Sequence, residues 1–267
     1  MEFRTILLEI RNKVAQITLN RPDAANTINA DLLKDLLSAL DHCEGNPGVR
    51  VIMISSAGKL FSGGGDLKTF SAAGVDLPAL IRMGAAHFHN VISRLARMDI
   101  PSVAAIHGAV AGGGLSLAIA CDIVIAAETT RFTVGYTRAG LAPDGGSTWF
   151  LPRLIGLKRA LELNLTNRSF TAGEALAWGM ITRVAPDDDL LTEAEKIASE
   201  LAKGPKRAFG AAKRLLYNGW GETLESQMEA EAREISSASG GSEAREGIRA
   251  FLEKRAPDFT SLGEPEE

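Results

Sequence analysis

Stretches of branched apolar residues alternate along the chain with stretches whose apolar residues recur every three to four positions. The first pattern predicts strands and the second predicts amphipathic helices. The predicted strands are residues 14–19, 49–55, 100–106 and 121–127, and the predicted helices are residues 30–39, 80–97, 115–120 and 158–165. Because helices separate the strands, the pattern predicts an α/β core with mostly parallel, buried strands.

The pattern changes near residue 190, beyond which almost every segment has helical spacing, as in "TEAEKIASELAKG" and "ETLESQMEAEAREISSAS". We therefore predict two parts, a core in residues 1–195 and a C-terminal helical region in residues 196–267. The basic run "KGPKRAFGAAKR" lies in the helical region. We interpret it as a solvated helix face, since clustered charges on a helix usually face water.

The most apolar stretch of the chain, residues 100–127, is long enough to raise the question of a membrane span. His107, Asp122 and several glycines interrupt it. These breaks favour a buried strand, a tight loop, a buried helix and a second buried strand. We therefore predict no membrane partner.

Composition supports an ordinary globular protein, with 45% hydrophobic and 23% charged residues. The net charge of −4 argues against nucleic acid as the main partner, because phosphate binding usually needs a basic face. The two cysteines, Cys43 and Cys121, belong to no paired motif. Together with a start that lacks the features of a signal peptide, they predict a cytoplasmic chain.

Two glycine clusters are candidates for chemistry: "FSGGGDL" (61–67) and "HGAVAGGGLS" (107–116). Neither has the spacing of a dinucleotide-binding loop, a P-loop or a serine-hydrolase elbow. Close packing of helix on strand would explain both clusters. Alternatively, one backbone N–H from each loop could converge on a carbonyl oxygen and form an oxyanion hole.

Asp144 stands among glycines and a proline in "GLAPDGGSTW". Pro-Asp-Gly is a turn signature, so a structural aspartate is one interpretation. The other is a general acid/base that a turn presents to a substrate. His87 and His89 are two residues apart on a predicted helix and point in different directions, so the sequence predicts no metal site.

Six segments, taken in order, carry a resemblance to a known family: "LNRPDAANTIN", "SAGKLFSGGGDLK", "IPSVAAIHGAVAGGGLSLAIACDIVIAA", "RFTVGYTRAGLAPDGGSTWFLPRLIG", "ALAWGMITRV" and "FLEKRAPDF". They are similar to the enoyl-CoA hydratase/isomerase (crotonase) superfamily over nearly the whole chain. The resemblance implies a spiral of strand–strand–helix units and a helical C-terminal region that forms homotrimers or pairs of trimers. It also implies an acyl-CoA thioester as substrate. Coenzyme A would then enter with the substrate, with no permanently bound cofactor.

The resemblance also assigns residues. Gly65 and Gly113 match the two N–H donors of the family's oxyanion hole. The remaining substrate-binding positions that the resemblance implies are Gly63, Gly64, Asp66 and Leu67 along the pantetheine, Ala24 at the adenine, and Phe251 and Lys254 in a C-terminal segment that reaches CoA, sometimes on a neighbouring subunit.

The departures from the family pattern concern the reaction. Hydratases of this family use two glutamates, and the matching positions hold Ser116 and Tyr136, neither of which is an acid. The region around Asp144 is most similar to phenylacetate-pathway isomerases and related enoyl-CoA isomerases, in which an aspartate shuttles the proton. The resemblance therefore implies double-bond isomerisation, with Asp144 as the acid/base.

Three alternatives stay open: water addition, the chemistry of 4-chlorobenzoyl-CoA dehalogenases, and a non-catalytic acyl-CoA binder. The dehalogenase pattern shares an aspartate at Asp144 and a histidine at His89, but has tryptophan where Tyr136 stands. We expect His89 and Tyr136 to line the acyl pocket. Trp149 and Phe150 are expected to pack behind the Asp144 loop.

Overall fold

A computed structural model describes residues 3–262 of the chain. Its strands are β1 (Ile6–Arg11), β2 (Val14–Leu19), β3 (Val51–Ser56), β4 (Ser102–Ile106), β5 (Ala109–Ala111), β6 (Ile123–Ala127), β7 (Arg131–Thr133), β8 (Phe170–Thr171) and β9 (Arg183–Ala185). Its α-helices are α1 (Ala30–Glu44), α2 (Leu67–Ala72), α3 (Leu77–Arg97), α4 (Gly113–Ile119), α5 (Ser147–Ile155), α6 (Leu157–Thr166), α7 (Ala172–Ala177), α8 (Leu190–Ala202), α9 (Lys206–Gly219), α10 (Leu224–Ser239) and α11 (Ser242–Leu252).

The strands form two sheets. The larger has the order β1-β2-β3-β4-β6-β9, parallel throughout except for the antiparallel β1–β2 pair, and the smaller has the order β5-β7-β8. The chain passes from β4 in the large sheet to β5 in the small sheet and then into α4. It repeats this course through β6, β7 and α5. The expected strand–strand–helix repeat is therefore present.

The central strands β3 and β4 of the large sheet are buried on both faces, as is typical of parallel strands. Along β3, Ile52 and Ile54 belong to one core cluster, whereas Val51 and Met53 belong to the other. Helix α8 covers the second face with Leu190, Ala194, Ile197, Ala198 and Ala202. The expected boundary at residue 195 thus falls inside a helix of the core. The division into two parts stays a prediction, and the last five residues of the predicted helical region lie outside the described part.

Helix α9 is fastened to the core by a buried lysine. The Nζ of Lys213 donates to the carbonyl oxygens of Leu95 at 2.6 Å and Ile100 at 3.4 Å, and it lies 2.7 Å from Oδ2 of Asp122. Burial raises the pKa of the Asp122 carboxyl, and the nearby ammonium only partly offsets this. The interpretation of the basic run as a solvated face is therefore wrong for Lys213, because Asp122 supplies a partner 91 positions away in sequence.

The remaining C-terminal helices expose apolar side chains. No residue of α10 is buried, and Leu224, Met228 and Ile235 are all largely exposed on it. Such a surface suits an interface between subunits. The structure describes a single chain, and trimer formation stays a prediction.

Residues 100–127 fold into β4, α4 and β6 as expected, and the short strand β5 lies where a tight loop was expected. No helix within residues 3–262 combines the length and apolar character that crossing a bilayer requires. Cys43 and Cys121 are both buried free thiols, and burial raises their pKa values to about 11 and about 12.

Candidate active site

The two glycine loops lie against each other, backbone on backbone. Ser62 pairs with Val110 as a short parallel bridge, with the Ser62 N–H donating to Ala109 at 3.3 Å and the Ala111 N–H donating to Ser62 at 3.0 Å. Gly64 has a φ of +90°, and a β-carbon there would lie 2.8 Å from the Ala111 carbonyl oxygen. The contact therefore needs glycine for both its conformation and its space.

A buried asparagine holds the first glycine loop from the other side. The side chain of Asn26 donates to the carbonyl oxygens of Ala57 at 2.8 Å and Leu60 at 3.0 Å. The Asn26 carbonyl oxygen accepts a 2.8 Å bond from the Ser62 hydroxyl. Sequence reasoning missed this residue, because Asn26 in "NRPDAAN" gives only the signal of a strand breaker.

Ala24 belongs to the same segment and is half-buried. The next residue, Ala25, accepts a 2.9 Å bond from the Gly63 N–H and has a left-handed φ of +51°. The segment expected to lie along the adenine is thus joined directly to the first glycine loop.

Gly65 and Gly113 each present a backbone N–H without an acceptor among the described residues. The bridge beside Gly65 uses the Ile28 N–H, which donates to Gly64 at 2.7 Å, and the Asp66 N–H, which donates to Ile28 at 3.2 Å. The Gly65 N–H takes no part in this bridge and has no acceptor among the described residues. Gly113 is the first residue of α4, where backbone N–H groups have no partner inside the helix. Both N–H groups are therefore unused within the described residues; Gly113 is buried, and neither glycine is among the residues that line the cavity at Asp144.

Asp66 is occupied within the protein. Its carboxylate accepts bonds from Arg21, Thr27 and the Thr69 N–H, each at 3.2 Å, and it caps α2. Burial alone would raise the pKa of this carboxyl, but those hydrogen bonds outweigh it and hold the pKa below its ordinary 3.8. Asp66 therefore fixes the loop. Leu67, next in the chain, is 56% exposed and available to a ligand.

A phenylalanine that the sequence did not single out lies between the second glycine loop and the Asp144 turn. A β-carbon at Gly113 would lie 3.4 Å from Cε1 of Phe88, and one at Gly145 would lie 2.3 Å from the same atom. Phe88 is buried on α3. One ring thus packs against both Gly113 and the residue that follows Asp144.

The turn after Asp144 depends on two glycines in the left-handed region, Gly145 at φ +59° and Gly146 at +73°. The Asp144 carbonyl oxygen accepts bonds from the N–H of Ser147 at 3.1 Å and from its hydroxyl at 3.0 Å, at the start of α5. The turn signature in the sequence is therefore a real turn, and it orients Asp144.

The two positions that match the hydratase glutamates meet beside Asp144. The hydroxyl oxygens of Ser116 and Tyr136 are 3.0 Å apart, and each lies 3.3 Å from the Asp144 carbonyl oxygen. One hydroxyl can therefore donate to the other while the second donates to the carbonyl oxygen. Burial raises the pKa of the Tyr136 hydroxyl well above its ordinary value, and the nearby Asp144 charge adds to this effect. Both groups thus stay neutral and hold the turn.

Asp144 opens onto a cavity of about 410 Å³. Its lining residues are His89, Ile92, Ser93, Ala96, Arg97, Pro143, Asp144, Gly146, Thr148, Trp149, Phe150 and Tyr217. Within residues 3–262, Asp144 is the only carboxylate that lines it. His89 lines this cavity, whereas Tyr136 is not among the lining residues and its hydroxyl contacts Ser116. That both residues line the acyl pocket stays a prediction. Trp149 and Phe150 also line this cavity, and a β-carbon at Gly146 would lie 3.1 Å from the Phe150 ring, so Phe150 packs against the turn as expected.

Phe251 and Lys254 lie at the end of α11, which packs on α10. The Phe251 side chain is 83% exposed. Within one chain the structure does not bring these residues to the glycine loops, so their role stays a prediction.

Comparison with known proteins gives the family. Residues 9–262 match the sequence profile of the enoyl-CoA hydratase/isomerase family. The chain belongs to that family. It is 37% identical to a "Probable enoyl-CoA hydratase" of Rhodobacter capsulatus over 97% of this chain and 99% of the relative. It is 35% identical to the 1,2-epoxyphenylacetyl-CoA isomerase of Escherichia coli, again over 97% and 99%.

A crystal structure of an enoyl-CoA hydratase from Polaromonas sp. JS666 superposes with a TM-score of 0.92 at 32% identity, over 95% of this chain and 98% of the other. The expected family fold is therefore confirmed. As a member of the enoyl-CoA hydratase/isomerase family, the chain is an enzyme that acts on acyl-CoA thioesters. Hydration and isomerisation both occur among the names of its relatives.

Proposed function

We propose that this enzyme shifts the double bond of a 3-enoyl-CoA to the 2-position, with Asp144 as the single acid/base. The observation that carries the proposal is the position of Asp144, the only carboxylate on its cavity within the described residues, beside two hydroxyls in place of glutamates. Isomerisation needs one group that removes and returns a proton, whereas the family's hydration uses two acids.

The reaction begins when the Asp144 carboxylate removes a proton from C2 of the substrate. The electrons of the C2–H bond form a C1–C2 double bond, and negative charge develops on the thioester oxygen. The N–H groups of Gly65 and Gly113, which lack acceptors among the described residues, stabilise this oxyanion. A double bond then forms between C2 and C3 as Asp144 returns the proton to C4. No water is consumed, and coenzyme A enters only as part of the substrate.

Hydration of a 2-enoyl-CoA is the second candidate, favoured by the name of the Rhodobacter capsulatus relative. In that reaction a base must activate water while an acid protonates C2. Ser116 and Tyr136 cannot act as the missing carboxylates, since both hydroxyls are tied to each other and to the Asp144 carbonyl. Asp144 alone would then have to serve both steps.

Asp144→Asn tests the proposal directly. We expect kcat for conversion of 3-enoyl-CoA to 2-enoyl-CoA to fall by about 10²–10⁴-fold, the usual effect of removing a general acid/base. Binding of a saturated acyl-CoA, measured by calorimetry, should remain. Asp76→Asn is the matched control, because Asp76 is exposed and its side chain does not cap the helix that follows.

Three assays on the unaltered enzyme distinguish the alternatives: isomerisation of a 3-enoyl-CoA, hydration of crotonyl-CoA, and chloride release from 4-chlorobenzoyl-CoA. Isomerisation as the fastest reaction supports the proposal. Hydration or dehalogenation without isomerisation overturns it, as does full isomerase activity in Asp144→Asn.

We also propose a homotrimer or a pair of trimers, in which the exposed Phe251 and the nearby Lys254 reach the CoA of a neighbouring subunit. Light scattering on the purified protein gives the oligomeric mass. A concentration-independent monomer would contradict this part of the proposal and leave the Asp144 chemistry untouched.

A further inference from the structure

A buried ammonium group joins segments that are far apart in the chain. The side chain of Lys213, on α9, is only 7% exposed. Its Nζ donates to the carbonyl oxygen of Leu95 in the last turn of α3 and to that of Ile100 just before β4, and it is paired with Asp122 between α4 and β6. An ammonium has three N–H donors, so these partners use all of them. Lys213 can therefore affect a reaction only through the segments that it joins.

The segment 95–100 also contacts α9 away from Lys213. A β-carbon at Gly210 would lie 2.6 Å from Cβ of Asp99, so the helix backbone approaches this segment closely. Arg214 forms an ion pair with Asp99, but both side chains are more than one third exposed. Exposed ion pairs contribute little, whereas a buried charge tolerates no loss of its partner. Among the polar contacts, Lys213 therefore does most to fix the position of α9 on this segment.

Tyr217 lies four residues after Lys213, on the same side of α9. It lines the cavity that Asp144 lines. The centroid of its ring lies 6.1 Å from that of Trp149 and 6.4 Å from that of Phe150. Both of these residues belong to α5, the helix that begins directly after the Asp144 turn. The position of α9 thus decides how the Tyr217 ring packs on α5 and where it stands in the cavity.

Helix α3 supplies much of the rest of the cavity wall. Its lining residues are His89, Ile92, Ser93, Ala96 and Arg97. Because Lys213 donates to Leu95 in the last turn of this helix, one ammonium group holds α9 and α3 in a fixed relation to each other.

We propose that Lys213 is a positioning residue for the cavity at Asp144, since it fixes α9 against α3 and so sets the Tyr217 ring. This inference rests on the proposed function. Lys213 does not itself line the cavity. A displacement of about 1 Å in a residue that positions a substrate can cost about 10²-fold in rate, even when its cause lies far from the reacting atoms.

Lys213→Met tests the proposal, because it removes the ammonium and keeps an unbranched side chain. At a temperature where far-UV circular dichroism shows the variant to be folded, kcat/KM for a 3-enoyl-CoA should fall by about 10-fold to 100-fold. The near-UV circular dichroism of the packed Tyr217 and Trp149 rings should change with it.

Adding Asp122→Asn to Lys213→Met separates positioning from stability. The second substitution removes the unpaired buried carboxylate, so the double variant should regain part of the lost stability. It does not restore the link between α9 and α3, so kcat/KM should stay low. If Lys213 has a structural role alone, activity returns together with stability, and that result overturns the proposal.

Two variants serve as controls. Leu190→Ala truncates a buried side chain of α8, in the core cluster on the other face of the large sheet, and it lowers stability without touching the cavity. Lys206→Met removes the 3.1 Å bond from another lysine of α9 to the Val49 carbonyl oxygen, eleven residues before Tyr217. Both should keep the wild-type kcat/KM when folded. A loss in Leu190→Ala equal to that in Lys213→Met contradicts the proposal.

Binding of a saturated thioester separates this inference from the proposed reaction. Calorimetry with hexanoyl-CoA needs no turnover, and its Kd should rise several-fold in Lys213→Met and stay unchanged in both controls. If the enzyme fails to isomerise but shows this difference, the reaction is wrong and the role of Lys213 stands. If it isomerises and Lys213→Met keeps the wild-type kcat/KM and Kd, the reaction stands and the role of Lys213 is wrong.

Discussion

The candidate site has two halves, one built from backbone groups and the other from side chains. The oxyanion half consists of backbone groups, with Gly64 packed on Ala111 and the N–H groups of Gly65 and Gly113 left open. The acid/base half consists of side chains, with Asp144 on a turn and a cavity walled by residues of α3, α5 and α9.

This difference separates what the fold requires from what the reaction requires. Almost any side chain at Gly64 would collide with backbone, so the oxyanion half cannot vary without moving a loop. Ser116 and Tyr136 can replace carboxylates because only their side chains change and their hydroxyls bond to each other. The chemistry of a family member is thus expected to vary in the side-chain half.

The largest stability effect is expected in the backbone half, from Gly64→Ala. The added β-carbon would meet the Ala111 carbonyl oxygen at 2.8 Å in a conformation with φ +90°, so we expect a loss of about 3 kcal/mol or more in the free energy of unfolding. Gly74→Ala is the control, because Gly74 has φ +54° but nothing within 4 Å of the added carbon. It should cost about 1 kcal/mol by urea denaturation. Equal losses in the two variants would contradict the packing argument.

Outside both halves, in the contact between α9 and the core, Lys213→Met should destabilise the protein by about 3 kcal/mol, since it leaves the largely buried Asp122 carboxylate without its cation. The loss should be greatest near neutral pH. It should shrink as the pH falls through the raised pKa of Asp122, because the protonated carboxyl no longer needs a cation. Adding Asp122→Asn should recover part of the loss. Urea denaturation of wild type and variants at pH 7 and pH 5 measures the loss and its pH dependence. A loss of the same size at both pH values would contradict the role assigned to the ionised Asp122 carboxylate.

Asp66→Asn tests the side-chain support of the oxyanion half and should cost about 1.5 kcal/mol at pH 7, since three hydrogen bonds to a charged carboxylate weaken. The Asp66 pKa is lowered on folding, so its stabilisation is complete above the unfolded pKa near 3.8 and is lost as the pH falls through the lower folded value. Wild type and variant should therefore converge in stability below about pH 3.8. A constant difference across this range would show that the ionised carboxylate is not the cause.

The smallest effect should come from Tyr136→Phe, which removes the hydroxyl that bonds to Ser116 and to the Asp144 carbonyl. We expect about 1 kcal/mol of destabilisation and a several-fold lower kcat with little change in KM, because Asp144 is less well positioned. Since the pKa of Tyr136 is raised, the wild-type rate should show no fall from its ionisation near pH 10.

Tyr217→Phe is the control for Tyr136→Phe. The Tyr217 hydroxyl makes no hydrogen bond within the described residues, while its ring keeps the contact with Trp149 in either form. An equal loss of kcat in both variants would argue against a positioning role for Tyr136.

The spacing of apolar residues predicted some of the strands and helices and missed others. The periodicity predicted β2, β3, β4, β6, α1, α3, α4 and α6, although their ends differed by a few residues. It did not predict β1, an edge strand whose side chains are mostly exposed, or α5, whose nine residues include Pro152. Edge strands lack a clear apolar alternation, and proline inside a helix argues against a helix.

By itself, the sequence determined the alternation of strands and helices, the two glycine loops, the absence of glutamates at positions 116 and 136, and the family resemblance. These features depend on residue type and on neighbours within a few positions. Only the tertiary structure decided that Lys213 is buried on Asp122, that the Tyr136 hydroxyl contacts Ser116, and that Phe88 packs against both Gly113 and Gly145. Each of these depends on packing between segments far apart in the chain, and such packing leaves no local period in the sequence.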